Sequence, residues 1–61
     1  MRQFKIIVEI HIDRNRKTFE EFIVEAGNKK LASIRGLQEV SKKKDYDGLF
    51  KSIVSVEEIK N

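Results

Sequence analysis

The sequence predicts an α+β fold: a small two-layer ββαβ domain over residues 1–61, with one helix packed on one face of a three-stranded antiparallel sheet in the order 2-1-3. Three observations lead to this prediction. The first segment alternates along its length with the period of a strand, the second is rich in strand-forming residues, and a third strand-like segment ends the chain. Between them, apolar residues recur at helical spacing. Short polar stretches separate the segments, and the chain contains no proline.

The first strand is predicted from the stretch FKIIVEIHI, which is rich in β-branched residues. Its inner face is expected to carry Phe4, Ile6, Val8, Ile10 and, just beyond the stretch, Ile12. The stretch TFEEFIVEA predicts the second strand. The intervening DRNRK predicts a turn, because asparagine tolerates the left-handed conformation that a tight turn requires.

The length of this turn decides how the two strands pair. A two-residue loop at residues 14–15 would oppose side chains of different faces, whereas a three-residue loop at residues 14–16 matches them. The predicted pairs are Val8 with Phe22, Ile6 with Val24, Phe4 with Ala26, Lys5 with Glu25, and Ile7 with Ile23. One unfavourable pair remains, Glu9 opposite Glu21.

The helix is predicted to begin after Gly27, with Asn28 as its N-cap. Its inner face is expected to carry Leu31, Ile34, Leu37 and Val40, which recur at helical spacing. Gly36 lies in the middle of this helix, where glycine costs about 1 kcal/mol relative to alanine. We therefore expect a packing reason for Gly36, namely a close approach of the helix to the sheet.

The end of the helix and the last strand follow from the remaining sequence. Residues 42–44 are lysines, which favour the C-terminal end of a helix dipole, and DYDG predicts the next turn. The stretch LFKSIVSVEEIK predicts a third strand with Phe50, Val54 and Val56 on its inner face. A right-handed crossover would place this strand beside the first, which then becomes central.

Composition excludes several classes of protein. The chain has no cysteine and one histidine, so disulfides and a zinc site are not expected, and we expect no cofactor. No apolar run approaches the roughly 20 residues of a membrane span. The N-terminal stretch contains Glu9 and His11 and lacks the features of a signal peptide, so a cytoplasmic protein is expected.

The sheet face opposite the helix is the first candidate site. By the parity of the strands it is expected to carry Ile7, Phe19, Ile23 and Ile53, surrounded by charged residues. An apolar patch with a charged rim is typical of an interface, which predicts a homodimer or a protein partner. The alternative is an ordinary open face, since much of any protein surface is apolar.

The second candidate site is a basic surface. The net charge of the chain is +3, and its excess of positive charge lies within residues 27–51, which carry seven basic groups against three acidic ones, or +4. Candidate phosphate contacts are Lys29, Lys30, Arg35, Lys42, Lys43 and Lys44, with Tyr46 as a ring for base stacking. This predicts a nucleic-acid-binding accessory protein as the alternative function. Solvated lysines at the two helix ends explain the same residues, and Asp45 and Asp47 beside the ring would repel phosphate.

No catalytic motif is present, and we expect a protein that is not an enzyme. His11 has no nucleophile placed beside it by a recognisable spacing, and an isolated histidine is commonly a surface or packing residue. The acidic pairs Glu20-Glu21 and Glu57-Glu58 lie on predicted strands, where neighbouring side chains point to opposite faces. Neither pair is expected to act as a carboxylate dyad.

The order of the stretches FKIIVEIHI, FEEFIVEA, helix and SIVSVEEIK resembles that of small ββαβ proteins of phages and archaea. It also resembles archaeal ribosomal proteins of the LX type, whose last strand ends in a similar EEI stretch. The matching positions are Phe19, Ala26 and residues 56–59. The glycine and proline of that family's first hairpin are absent here. The resemblance implies the strand–strand–helix–strand layout and assigns no functional residue.

Overall fold

The computed structural model describes residues 2–60, so the domain expected over 1–61 is described except for its two terminal residues. Its elements are β1 (Arg2–His11), β2 (Lys17–Ala26), α1 (Lys29–Ser41), a short 3₁₀ helix (Lys44–Tyr46) and β3 (Phe50–Ile59). The three strands form an antiparallel sheet in the order β2-β1-β3, and α1 packs on one face. The predicted fold class and strand order are confirmed.

The core lies between the central strand and the helix. Four alternating side chains of β1, those of Phe4, Ile6, Val8 and Ile10, are fully buried. The alternation of β-branched and aromatic residues therefore places them on one face, as predicted. Burying each such side chain stabilises the fold by about 1.5–3 kcal/mol. The rest of the buried core is Val24, Ala26, Ala32 and Val40.

The pairing of β1 with β2 differs from the prediction. Val8 pairs with Glu20, Ile6 with Phe22, and Phe4 with Val24, so every partner in β2 lies two positions earlier than expected. The expected opposition of Glu9 and Glu21 is thereby avoided, because Glu9 lies opposite Phe19. A slip of two residues preserves the face of every side chain, which explains why the apolar pattern alone did not distinguish the two registers.

The turn explains the observed register. The backbone N–H of Ile12 donates to the carbonyl of Arg16 at 3.0 Å, so the three-residue loop is Asp13, Arg14 and Asn15. The carboxylate of Asp13 accepts a hydrogen bond from the backbone N–H of Asn15 at 2.9 Å and another from the side chain of Arg16 at 2.7 Å. An aspartate that bonds the backbone two residues later stabilises a turn at this position. The predicted loop length was right and its position was wrong by one residue.

A β-bulge in β3 reverses part of the predicted faces of that strand. Ile7 pairs with Ser55 but Val8 pairs with Ile53, which leaves Val54 as an extra residue. Before the bulge, Ile53 therefore faces the helix and packs against the core, whereas Phe50 points to the opposite face. The predictions for Ile53, Phe50 and Val54 are wrong, because one inserted residue shifts the alternation of a strand by one position.

Beyond the bulge, the prediction for Val56 is confirmed. Val56 pairs with the buried Ile6 and packs against the core.

The helix also turns a different face to the sheet. Its buried residues are Ala32, Gly36 and Val40, whereas Leu31, Ile34 and Leu37 are exposed. Of the four residues predicted to face the core, only Val40 does so. The sheet already offers large side chains beneath the helix, and a close-packed interior accepts small residues opposite large ones.

The local predictions for the helix hold. A Cβ at residue 36 would lie 2.6 Å from Cγ2 of Ile6, which confirms that Gly36 permits a close approach of helix and sheet. The side chain of Asn28 accepts a hydrogen bond from the backbone N–H of Leu31 at 2.9 Å, which confirms the predicted N-cap.

The chain leaves the helix through the predicted turn. Lys42 is the C-cap residue, so the lysines at 42–44 follow the last helical turn rather than form it. The 3₁₀ helix comes next, and Gly48 then adopts a φ of 78°, a conformation that side chains other than glycine rarely accept. This reversal brings β3 back alongside β1.

Candidate interaction surfaces

The sheet face opposite α1, called here the open face, carries a set of exposed apolar side chains. Phe19 is 52% exposed, Ile23 is 55% exposed and Phe50 is 69% exposed, while Ile7 lies half-buried at the centre of this face. The structure therefore brings Ile7, Phe19 and Ile23 together on the open face, as predicted. Ile53 does not belong to this face, and Phe50 was missed because the sequence carries no signal for the bulge at Val54.

Charged side chains alternate with these apolar residues. Ile7 lies between Glu21 and Ser55, and the neighbouring Lys5 lies between Ile23 and Glu57. The Nζ of Lys5 is 3.8 Å from a carboxylate oxygen of Glu21. By strand parity the charged residues of this face are Glu9, Glu21, Glu25 and Glu57 against Lys5 and Lys17, so it carries more negative than positive charge at neutral pH. The open face thus combines apolar anchors with a patterned charged rim.

His11 lies at one end of the open face, because it alternates in β1 with the buried residues and shares the face of Ile7. Its Nε2 is 2.7 Å from a carboxylate oxygen of Glu9, and the other oxygen of Glu9 is 3.4 Å from the Nζ of Lys17. The imidazole ring contacts the Phe50 ring edge-on, with a centroid distance of 5.3 Å. These contacts fix the orientation of His11 and add an aromatic pair to the open face.

A second apolar surface lies on the solvent side of α1. Leu31 and Ile34 are each 47% exposed, and Leu37 is 36% exposed. A groove of about 510 Å³ is lined by Ile34, Leu37, Gln38, Ser41 and Lys42. Leu31, Ile34 and Leu37 were predicted to lie in the core, so this surface was not predicted. The sequence feature that indicates this surface is a second stripe on the same helix, at residues 32, 36 and 40, whose smaller side chains take the core-facing positions instead.

The basic residues do not form one continuous patch. Lys43 donates a hydrogen bond to the carboxylate of Glu20 at 2.8 Å, and the hydroxyl of Tyr46 donates to the same carboxylate at 2.8 Å. Lys43 also lies 5.7 Å from the centroid of the Phe22 ring. Lys43 and Tyr46 therefore have partners within the fold. These partners were not predicted, because Glu20 is 23 residues away from Lys43 in the sequence.

The pKa values of this cluster shift as its hydrogen bonds require. The bond from Lys43, followed by that from Tyr46, lowers the pKa of the Glu20 carboxyl. The bond to Glu20 raises the pKa of the Lys43 ammonium and of the Tyr46 hydroxyl, since each donor is held by the carboxylate. The hydrogen bonds of this cluster connect residues 43–46, which follow α1, to β2.

The remaining candidate phosphate contacts are exposed. Lys42 lies 3.3 Å from a carboxylate oxygen of Glu39. Lys30, Arg35 and Lys44 have no carboxylate within salt-bridge distance among residues 2–60. Lys29 is close enough to Glu58 to lower the pKa of that carboxyl, although Arg2 is the main cause of the shift. These side chains lie along the helix and its two ends rather than at one point.

Other kinds of site find no support in the described chain. Within residues 2–60 there is no group of three or more histidine, aspartate or glutamate residues that could hold a metal ion. No helix in this range is long and apolar enough to cross a membrane. Comparison of the chain with protein-family models, with curated proteins and with solved structures finds no match.

Proposed function

We propose that this protein is a small non-catalytic interaction module that acts in the cytoplasm and binds another protein, or a second copy of itself, through the open face. The observation that supports this most directly is the exposure of Phe19, Ile23 and Phe50 on one sheet face that no described element covers. Contiguous apolar surface surrounded by polar residues is characteristic of protein interfaces. The absence of cysteine fits a reducing compartment.

The size of the chain adds to this argument. A domain of about 60 residues buries only about 60% of the surface that its unfolded chain exposes, so its stability is marginal. Covering the open face would give the sheet a second apolar layer, with Ile7 at its centre. Binding would then stabilise the fold as well as produce a complex.

The charged residues of the open face would select the partner. Glu9 contacts His11 and Lys17, and Glu21 lies 3.8 Å from Lys5, so both carboxylates have cationic neighbours on the open face. Charges arranged around an apolar centre contribute mainly to specificity and to the rate of association. We therefore assign Ile7, Phe19, Ile23 and Phe50 as anchors and the charges as the selective rim.

Two variants of the open face and one matched control test this proposal. Ile7→Lys and Phe50→Lys place a charge among the anchors, whereas Ile34→Lys places the same charge on the solvent side of α1. We expect the first two to abolish association with a second copy or a protein partner, measured by sedimentation and by binding titration, while Ile34→Lys retains it. Association that survives both open-face substitutions would contradict the proposal.

Nucleic-acid binding is the second candidate function. It is favoured by the exposed Lys30, Arg35 and Lys44, which have no carboxylate partner among residues 2–60. The full set of contacts would be Lys29, Lys30, Arg35, Lys42, Lys43, Lys44 and Tyr46. Lys43 and Tyr46 would have to exchange their bonds to Glu20 for phosphate or a base, which weakens their part in it.

The salt dependence of binding tests this candidate. Each phosphate contact releases counterions, so affinity for a fluorescent oligonucleotide should fall steeply between about 50 mM and 200 mM salt. Arg35→Gln should reduce this dependence, and the matched Gln38→Glu on the same helix should weaken binding by adding negative charge. No change in anisotropy at about 50 mM salt would exclude the candidate.

A further inference from the structure

The two edges of the sheet differ in a way that points to self-association. β2 is an edge strand of ten residues whose ladder with β1 runs without interruption from Arg2–Ala26 to His11–Lys17. The other edge, β3, contains the bulge at Val54, and bulges are a common means of preventing an edge from pairing with another chain. We propose that β2 pairs antiparallel with β2 of a second copy, which joins the two sheets into one of six strands.

The direction of the backbone groups of β2 follows from the turn. The N–H of Ile12 donates to the carbonyl of Arg16, so this pair is a hydrogen-bonded pair of the hairpin. Such pairs alternate along an antiparallel ladder. The even-numbered residues of β2 therefore bond to β1. The odd-numbered residues, Lys17, Phe19, Glu21, Ile23 and Glu25, direct their N–H and C=O groups away from β1, toward the unpaired edge.

One register satisfies both the backbone and the side chains. If a two-fold axis passes through Glu21, Phe19 lies opposite Ile23 of the second copy and Lys17 lies opposite Glu25 of the second copy. This arrangement pairs apolar with apolar and positive with negative residues, which is the pattern that stabilises cross-strand neighbours. A shift of two residues in either direction places Phe19 opposite a glutamate, at position 21 or 25. A shift of four residues would place Phe19 opposite its own copy and Lys17 opposite Glu21 of the second copy, but it pairs only residues 17–21. The length of the ladder and the side chains together therefore favour the closed dimer whose axis passes through Glu21.

The helix layer leaves this edge accessible. Glu20, Lys43 and Tyr46 are joined on the helix side of β2, and the backbone of Glu20 bonds inward to β1. Farther along β2, a cleft of about 570 Å³ lies between residues 22–25 and the helix residues Arg35 and Gln38. A second strand could therefore approach the edge without displacing α1.

The register contains one unfavourable contact, since Glu21 lies opposite the same residue of the second copy. Each Glu21 is compensated in part by Lys5 of its own chain at 3.8 Å. Like charges directly opposite one another destabilise strand pairing. Glu21→Thr should therefore tighten the dimer about two- to fivefold, as measured by sedimentation equilibrium.

The pairing of Lys17 with Glu25 provides the decisive experiment. Lys17→Glu alone and Glu25→Lys alone each create like-charged pairs across the two-fold axis, so each variant should remain monomeric at concentrations where the wild type is dimeric. Mixing the two variants in equal amounts matches every pair again and should restore a heterodimer. Lys17 and Glu25 also lie on the open face, so restoration supports pairing through the β2 edge when association is also retained in Ile7→Lys and lost in Glu21→Pro. Absence of restoration would overturn the proposal.

A backbone variant gives an independent readout. Glu21→Pro removes an N–H that points toward the unpaired edge and leaves the bonds between β1 and β2 in place. Proline is tolerated at such positions of edge strands. The variant should be monomeric while it keeps a cooperative thermal unfolding transition. A dimer that persists in Glu21→Pro, or a wild type that stays monomeric at about millimolar concentration, would also overturn the proposal.

The test is separate from that of the open face. Ile7 lies on the central strand, so Ile7→Lys should leave pairing through the β2 edge intact. Loss of association in Ile7→Lys together with its retention in Glu21→Pro would support the open face and exclude the edge. The reverse result would support the edge alone.

Discussion

Gly36 of α1 lies directly against Ile6 of β1. A Cβ at residue 36 would lie 2.6 Å from Cγ2 of Ile6 and 3.1 Å from its Cβ, closer than packed side-chain atoms approach one another. Ile6 is fully buried, so it has little freedom to move aside. This contact fixes the distance between the helix and the sheet at the centre of the core.

Gly36→Ala is expected to destabilise the protein although alanine favours the helix. Overpacking a core costs about 1–3 kcal/mol, whereas the gain in helix propensity is about 1 kcal/mol. A net loss of about 1 kcal/mol in the free energy of unfolding should appear in urea denaturation. Gly27→Ala is the matched control, because nothing lies within 4 Å of a Cβ at that position.

The partner of this clash can be identified by a double-mutant cycle. Ile6→Ala removes Cγ2 and Cγ1 of Ile6, which a Cβ at residue 36 would meet at 2.6 and 3.2 Å, and leaves only the Cβ at 3.1 Å. Gly36→Ala should therefore cost much less in the Ile6→Ala background than in the wild type. Additive losses in the double variant would show that some other contact causes the destabilisation.

The orientation of α1 predicts unequal effects from two truncations on the same helix. Val40→Ala removes buried methyl groups and leaves a cavity, which should cost about 2 kcal/mol. Ile34→Ala acts on a side chain that is half-exposed and should change the free energy of unfolding by less than about 0.5 kcal/mol. Urea denaturation of the two variants checks the difference. Similar losses from both would mean that Ile34 faces the core.

Because of the bulge, substitution by lysine is expected to have unequal effects on stability at two positions of β3. Ile53→Lys introduces a charge on the face that packs against the core and should destabilise the fold by about 2 kcal/mol or more. Phe50→Lys acts on the open face and should leave the unfolding midpoint of the uncomplexed protein nearly unchanged. Thermal unfolding followed by circular dichroism at low protein concentration distinguishes them. A larger loss of stability from Phe50→Lys than from Ile53→Lys would show that β3 runs without the bulge.

The pKa of the Tyr46 hydroxyl is expected to lie above its ordinary value of 10.0, because the hydrogen bond to Glu20 holds the proton. The hydrogen bond stabilises the fold fully at pH values below the pKa that Tyr46 has in the unfolded state. This stabilisation is lost as the pH rises through the higher pKa of the folded state. Since Tyr46 is the chain's one tyrosine, the near-ultraviolet absorbance of tyrosinate reports it alone. The pKa should fall in Glu20→Gln and in urea. Equal pKa values of Tyr46 in the folded and the unfolded protein would contradict its hydrogen bond to Glu20.

Glu20 predicts a loss of stability in acid. Its pKa is lowered in the folded state, so its contribution is complete above the ordinary carboxyl pKa of 4.5 and is lost as pH falls through the lowered value. Near pH 7, Glu20→Gln should therefore have a lower free energy of unfolding than the wild type. The two proteins should converge once the pH falls below the lowered pKa, where wild-type Glu20 is protonated. A difference that persists unchanged in acid would assign the effect to shape rather than charge.

Local patterns in the sequence were sufficient for the framework of the fold. The alternation in β1 identified the central strand, Asn28 identified the start of the helix, and Gly36 identified its close approach to the sheet. Each of these features depends on neighbours in sequence or on the volume of one side chain. On the open face, Ile7, Phe19 and Ile23 were predicted for the same reason, since parity survives a two-residue slip of the hairpin.

The structure decided the features that the apolar pattern of the sequence leaves open. Two registers of the hairpin preserve the same faces, and the hydrogen bonds of Asp13 favour one of them. The extra residue Val54 leaves no mark on the apolar pattern, yet it exchanges Ile53 and Phe50 between faces.

The helix illustrates the same division. Its sequence contains one stripe of large apolar residues and one of small residues, and hydrophobicity alone favours the large one. The large side chains of β1 already fill the space beneath the helix, so only the stripe containing Gly36 fits. The sequence by itself determined which segments form strands and helix and in what order they pair. Packing volume determined which faces became core and which became surface, because that volume is set by side chains brought together only when the chain has folded.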